Sequence, residues 1–115
     1  MRGAKTMIIV RTILNTLPEK QKEVMQTLLS MVSPPADGNG LLHWGIYTDI
    51  EDCNVFNLIS EWENRKHLNR HLNSDTFSVL LGTKSLLSKP IEIHIHQVAA
   101  VENIDVVYAV RKESS

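Results

Sequence analysis

Two stretches of this chain alternate with a period of two, and that alternation restricts the folds open to it more than any other feature. In CNVFNLISEW, Cys53 to Trp62, the residues Phe56, Leu58, Ser60 and Trp62 fall on one face, and Val55, Asn57, Ile59 and Glu61 on the other. In PIEIHIHQV, Pro90 to Val98, Ile91, Ile93 and Ile95 stand opposite Glu92, His94 and His96. Such strands require a sheet. The first carries large apolar residues on both faces, so that sheet needs cover on both sides.

The remaining elements follow from local signals. TMIIVRTIL, Thr6 to Leu14, is β-branched and apolar and predicts a first strand. Thr16 and Glu19 stand at capping-box spacing around Pro18, and Val24, Leu28, Met31 and Val32 then recur at helical intervals. SPPADGNG, Ser33 to Gly40, is the longest loop signal. LLHWGIYTDI, Leu41 to Ile50, and the run ending in Trp62 are separated by turn residues and predict a hairpin. A short helix over about Asn64 to Leu72 offers Leu68 and Leu72 as its apolar contact. Ser74 is placed to N-cap a second helix carrying Phe77, Leu80, Leu81 and Leu87, which Pro90 closes. In the tail, Ile104, Val106, Tyr108 and Val110 have strand spacing.

The order β-α-β-β-α-β predicts an α+β, ferredoxin-like fold: a four-stranded antiparallel sheet with helices on one face. The other face would lie bare in a monomer, so a homodimer packing sheet against sheet is the expected solution. The chain reads as one domain over residues 1–115, with its core at about 6–98. The strand-like tail, 99–115, is then free to pair with the partner subunit.

Composition narrows the function classes. The chain has 115 residues, a hydrophobic fraction of 43% and a net charge of −1, so it can bury a core without metal or disulfide support. Charges of both signs are interspersed, which argues against nucleic acid or a membrane surface as a partner. Cys53 stands alone, as suits a reducing, cytoplasmic protein. MIIV is too short for a secretory signal, and no run is long enough to span a bilayer.

His67 and His71 stand one helical turn apart, the spacing of helical metal ligands, and His94 or His96 are conceivable further ligands. The near neighbours Arg65, Lys66 and Arg70 disfavour a cation, and no metal is expected. His71, flanked by Leu68 and Leu72, faces inward on this spacing, whereas His67 reads as scaffold hydrogen-bonded to backbone or solvent. Trp62 is either core or the wall of a pocket for a flat aromatic molecule, with its indole N–H free for a carbonyl or phenolate. Tyr47 and His43 share a strand face and together suit proton transfer near neutral pH. Cys53, between Asp52 and acidic Glu51 on one side and Asn54 on the other, is a poor nucleophile. No Gly-rich phosphate loop and no G-x-S-x-G elbow occur, so no nucleotide cofactor is expected.

Taken together, GLLHWGIYTDIEDCNVFNLISEWENRKHLNRHLNSDTFSVLLG and KPIEIHIHQV resemble the antibiotic biosynthesis monooxygenase family, over about Met7 to Val98. The pattern is a Gly-led strand ending in Tyr47, a strand ending in SEW, then HL-S--F and a closing Pro-led strand. The resemblance implies a homodimeric α+β barrel with a pocket between sheet and helices in each subunit. It also implies cofactor-independent oxidation of a small phenolic or quinol compound with O2, the substrate itself supplying the electrons. Trp62 corresponds to the pocket tryptophan of polyketide-oxidising members, whose asparagine and tyrosine are replaced here by Leu58 and Leu68. Haem-degrading members carry an asparagine where this chain has Val10, a histidine at Leu81 and a tryptophan at His71, which disfavours haem as substrate. His71 matches a histidine of the quinol-monooxygenase-like branch. The expected catalytic set is therefore His71 with His43 and Tyr47, and the expected pocket is Trp62, Leu58, Leu68 and Phe56. The alternative is a non-catalytic dimeric module of the same fold that binds a small aromatic or apolar molecule or serves regulation.

Overall fold

The computed structural model describes residues 7–31 and 39–113. Strands β1 (Met7–Asn15), β2 (Leu41–Thr48), β3 (Val55–Trp62) and β4 (Glu92–Val98) form one antiparallel sheet in the order β2-β3-β1-β4. This is the expected ferredoxin-like α+β architecture. The register sets Ile8 opposite Trp62, Val10 opposite Ser60, Thr12 opposite Leu58 and Leu14 opposite Phe56. All eight side chains are buried, so the two central strands present one continuous face to the helices.

Helices α1 (Gln21–Ser30), α2 (Arg65–Leu72) and α3 (Asp75–Leu81) cover that face. Val24 and Leu28 of α1 and Phe77 and Leu80 of α3 pack with Leu14, Phe56 and Leu58. Leu68 of α2 packs separately with Ile8, Val10, Leu41 and Trp62, while Trp44 and Leu72 touch both clusters. Each fully buried aliphatic or aromatic side chain here contributes about 1.5–3 kcal/mol through burial, so α2 is held chiefly by Leu68.

The corner between α2 and α3 is fixed by caps. Asn64 Oδ1 accepts from the His67 N–H at 3.1 Å, and Ser74 Oγ accepts from the Phe77 N–H at 3.2 Å, as its sequence position predicts. The Ser74 hydroxyl also donates to the His71 carbonyl at 2.6 Å, tying the end of α2 to the start of α3.

Three expectations are corrected. Thr16 does not cap a helix. It continues the inward row of Ile8, Val10, Thr12 and Leu14, so its hydroxyl turns into the interior, where Oγ1 has no hydrogen-bond partner among the described residues. The chain enters α1 instead through a 3-10 turn, Pro18–Lys20, with no side-chain cap. The second predicted helix ends earlier than Leu87: α3 passes into a 3-10 segment, Gly82–Leu86, and Leu87 bridges to Thr16. The tail is not a strand but a helix, α4 (Ile104–Glu113), opened by Asn103 Oδ1 accepting from the Asp105 N–H at 2.9 Å. Val107 and Ala109 lie between the alternating positions, so the apolar residues satisfy a helical period as well as a strand period. Val32 and most of the predicted loop Ser33–Gly40 fall outside the described residues. Among the described residues, no helix is long and apolar enough to cross a membrane.

Candidate functional site

The site begins at the end of β3. Trp62 is buried on the helix side of the sheet, and its Nε1–H donates to Ser60 Oγ at 2.9 Å. Ser60 lies two residues earlier on the same strand face, so this bond is local to β3 and fixes the indole. It also corrects the expectation that the Trp62 N–H is free for a ligand.

His71 occupies the last turn of α2, three residues after the fully buried Leu68, and therefore faces the sheet. Its ring stacks on Trp62 with centroids 4.7 Å apart and planes inclined by 30°. Trp44 of β2 and Phe77 of α3 meet it edge-on, each at 5.6 Å. Three elements thus surround one imidazole with uncharged rings. Burial pushes its pKa below the ordinary histidine value, because the charged form loses solvation that these rings do not replace. At neutral pH the ring is an uncharged base.

Trp44, which the sequence reading did not single out, pairs with Ser60 across β2 and β3 and so shares the Trp62 face. Its Nε1 is buried without a hydrogen-bond partner among the described residues, in contrast to that of Trp62. The even spacing of Trp44 and Ile46, out of phase with His43 and Tyr47, was the available signal. A register shift between Leu41 and His43 obscures it at the start of the strand. His67 Nδ1 is likewise buried and has no hydrogen-bond partner among the described residues. The ring lies against Gly40, whose φ of 73° and lack of a side chain let the backbone pass.

The structure divides the expected catalytic set. His43 and Tyr47 are together, with His43 Nε2 3.2 Å from Tyr47 Oη, but they pair with Glu61 and Asn57 on the opposite face of the sheet from His71. The sheet itself keeps them from acting with it. The expected pocket residues are divided too. Leu68 packs with Trp62, whereas Leu58 and Phe56 belong to the other cluster, and Phe56 lies six residues from Trp62 along β3. At about 3.3 Å per residue that is some 20 Å, so Phe56 is core rather than wall. The histidines do not converge on a cation. His94 and His96 pair with Arg11 and Ile9 on the open face, across the sheet from His71. Among the described residues, no three His, Cys, Asp or Glu side chains are placed to hold a metal.

Comparison with known proteins agrees with this architecture. The family model described as antibiotic biosynthesis monooxygenase matches residues 7–80. An uncharacterized protein of Synechocystis sp. is 26% identical over 105 residues, covering 90% of this chain and 71% of that one. The crystal structure of a conserved protein from Methanosarcina mazei Go1 superposes with a TM-score of 0.72 at 26% identity, covering 80% of this chain and 92% of that one. A Deinococcus radiodurans protein described provisionally as an antibiotic biosynthesis monooxygenase superposes with a TM-score of 0.75 at 18% identity. It covers 84% of this chain and 97% of that one, a likeness of fold.

Proposed function

Because the chain belongs to the antibiotic biosynthesis monooxygenase family, we propose that it is a cofactor-independent monooxygenase acting on a small phenolic or quinol compound. The observation that carries this reading is the uncharged His71 imidazole enclosed by Trp62, Trp44 and Phe77. In a phenol oxidation, His71 accepts the hydroxyl proton and leaves an electron-rich phenolate. One atom of O2 becomes the new quinone oxygen and the other leaves as water. The phenol supplies all four electrons, so no external reductant is consumed. The unpartnered N–H of Trp44, whose ring meets this imidazole edge-on, is the donor left for a developing oxyanion. Trp62, committed to Ser60, positions His71 by stacking. We place this activity in a cytoplasmic homodimer whose subunits meet through the open sheet face, which carries Ile9, Ile13 and Ile59.

Oxygen uptake with naphthols and a menadiol-type quinol tests the reading. The expected result is uptake by the unsubstituted chain that falls in His71→Ala and Trp44→Phe variants, with one atom of labelled oxygen entering each quinone formed from a naphthol. The quinol already carries both oxygens, so its two-electron oxidation reduces O2 to peroxide and leaves the quinone unlabelled. Uptake no faster than substrate autoxidation across that panel would overturn it.

A second reading has its own observation. Leu58 and Leu68 are buried and apolar where polyketide-oxidising relatives carry polar groups, which favours a module that binds a small apolar molecule without turnover. Thermal-shift binding without oxygen consumption would distinguish it.

A further inference from the structure

We propose that α4 of one copy lies along the uncovered helix-side flank of β4 in a second copy, and reciprocally, so that two chains exchange their C-terminal helices. The helix and the flank are both apolar surfaces that a single chain leaves to solvent. Successive residues of a helix turn by about 100°, which spreads Val106, Val110, Val107, Ile104 and Tyr108 over one broad side, where Arg111 also lies and adds its apolar stem. Asp105 and Lys112 fall on the other. None of the residues of α4 is buried, and Tyr108 is 65% exposed.

The complementary surface is on β4. That strand pairs with β1 along one edge, and its Ile93 and Ile95 share the helix-side face with Thr12 and Val10. Val10 and Thr12 are 4% and 2% exposed, whereas Ile93 and Ile95 are 37% and 38% exposed. The helix layer therefore stops at β1 and leaves a strip one strand wide. At 1.5 Å rise per residue, α4 is about 15 Å long, and seven strand residues span about 23 Å, so the helix fits the strip.

Within its own chain the helix does not occupy that strip. The radius of gyration is 17.0 Å and the longest extent 50 Å, against about 13 Å for a compact chain of 100 residues. A second copy is the occupant because each chain carries one helix and one strip, and reciprocal exchange covers both and closes with twofold symmetry. The open sheet face, four strands about 4.8 Å apart and about 23 Å long, is a modest patch that apolar surface added at β4 would enlarge. Exchanged helices supply further apolar area, and β4 carries both contacts, its open face included. The inference goes beyond the sheet-to-sheet homodimer on which it rests.

Cross-linking tests it in a Cys53→Ser background, since Cys53 is exposed and would otherwise compete. Full-length chains with a single cysteine at Ile93 or Ile95 are co-expressed with chains carrying one at Val106, Val107 or Val110. The sizes are checked by light scattering. The expected result is a dimer in which at least one pairing gives a disulfide-linked heterodimer, identified by mass and lost on reduction. A monomer by light scattering would overturn the homodimer and the exchange together. A dimer with no heterodimeric disulfide in any pairing would overturn the exchange alone. So would an internally linked chain from an Ile95→Cys, Val107→Cys double variant, because it would place the helix on its own strand.

Discussion

His71 stacks on Trp62 with ring centroids 4.7 Å apart and an interplanar angle of 30°, and the two rings come from different layers of the fold. The tryptophan ends a central strand, while the histidine ends the helix that follows two residues later. Their contact therefore reports how β3 hands over to α2. It also sets the one titratable group in the aromatic cluster against an uncharged surface.

That placement fixes a pH dependence. An unfolded chain protonates His71 near the ordinary value of about 6.5, while the folded chain does so only at lower pH. Between those two values the unfolded state holds more protons, so stability falls as pH is lowered through the window and returns as pH rises. The rings facing His71 from β2, β3 and α3 carry no charge that would reverse the sign. Urea midpoints measured from about pH 7.5 down to about pH 5 should show this slope, and His71→Phe should flatten it. An unchanged slope in that variant would assign the titration to other groups.

Ser60→Ala should destabilise the fold by about 1–3 kcal/mol, because it leaves the buried Trp62 N–H without an acceptor. Adding Trp62→Phe, which removes the orphaned donor, should cost less than the sum of the two single substitutions. A double-mutant cycle in denaturant measures that coupling, and strict additivity would mean the bond contributes nothing.

Gly40→Ala should be poorly tolerated. The φ of 73° is disfavoured for a residue with a side chain, at about 1–2 kcal/mol. The added Cβ also overlaps the His67 ring. His67→Ala removes the ring but keeps the Cβ, which the added methyl also meets, and leaves the backbone strain, so the double variant should recover little of the lost thermal stability.

The two faces of the sheet should separate in kinetics. If His71 is the base, His71→Ala lowers kcat by about 10²–10⁴-fold. Tyr47→Phe, on the opposite face beside His43, should leave turnover close to that of the unsubstituted chain. Equal losses in the two variants would contradict the division of the expected catalytic set.

The sequence by itself determined the strands, their order and the inward row on β3, because a period of two assigns each residue to a face before any partner is known. It also placed the cap at Ser74, began the short helix at about Asn64 and pointed His71 inward, since these depend on neighbours within one helical turn. Pairing and termination were decided only by tertiary structure. Thr16 followed its strand inward instead of capping a helix, and α4 formed where the apolar residues fit either period. The aromatic cluster belongs to the same class of decision. Trp44 reaches His71 only because β2 pairs with β3 in the register that sets it opposite Ser60. His43 and Tyr47 lie on the far side for the same reason. A face is a local property of the backbone. Which faces meet depends on register and layer, and these are set by packing between segments distant in sequence.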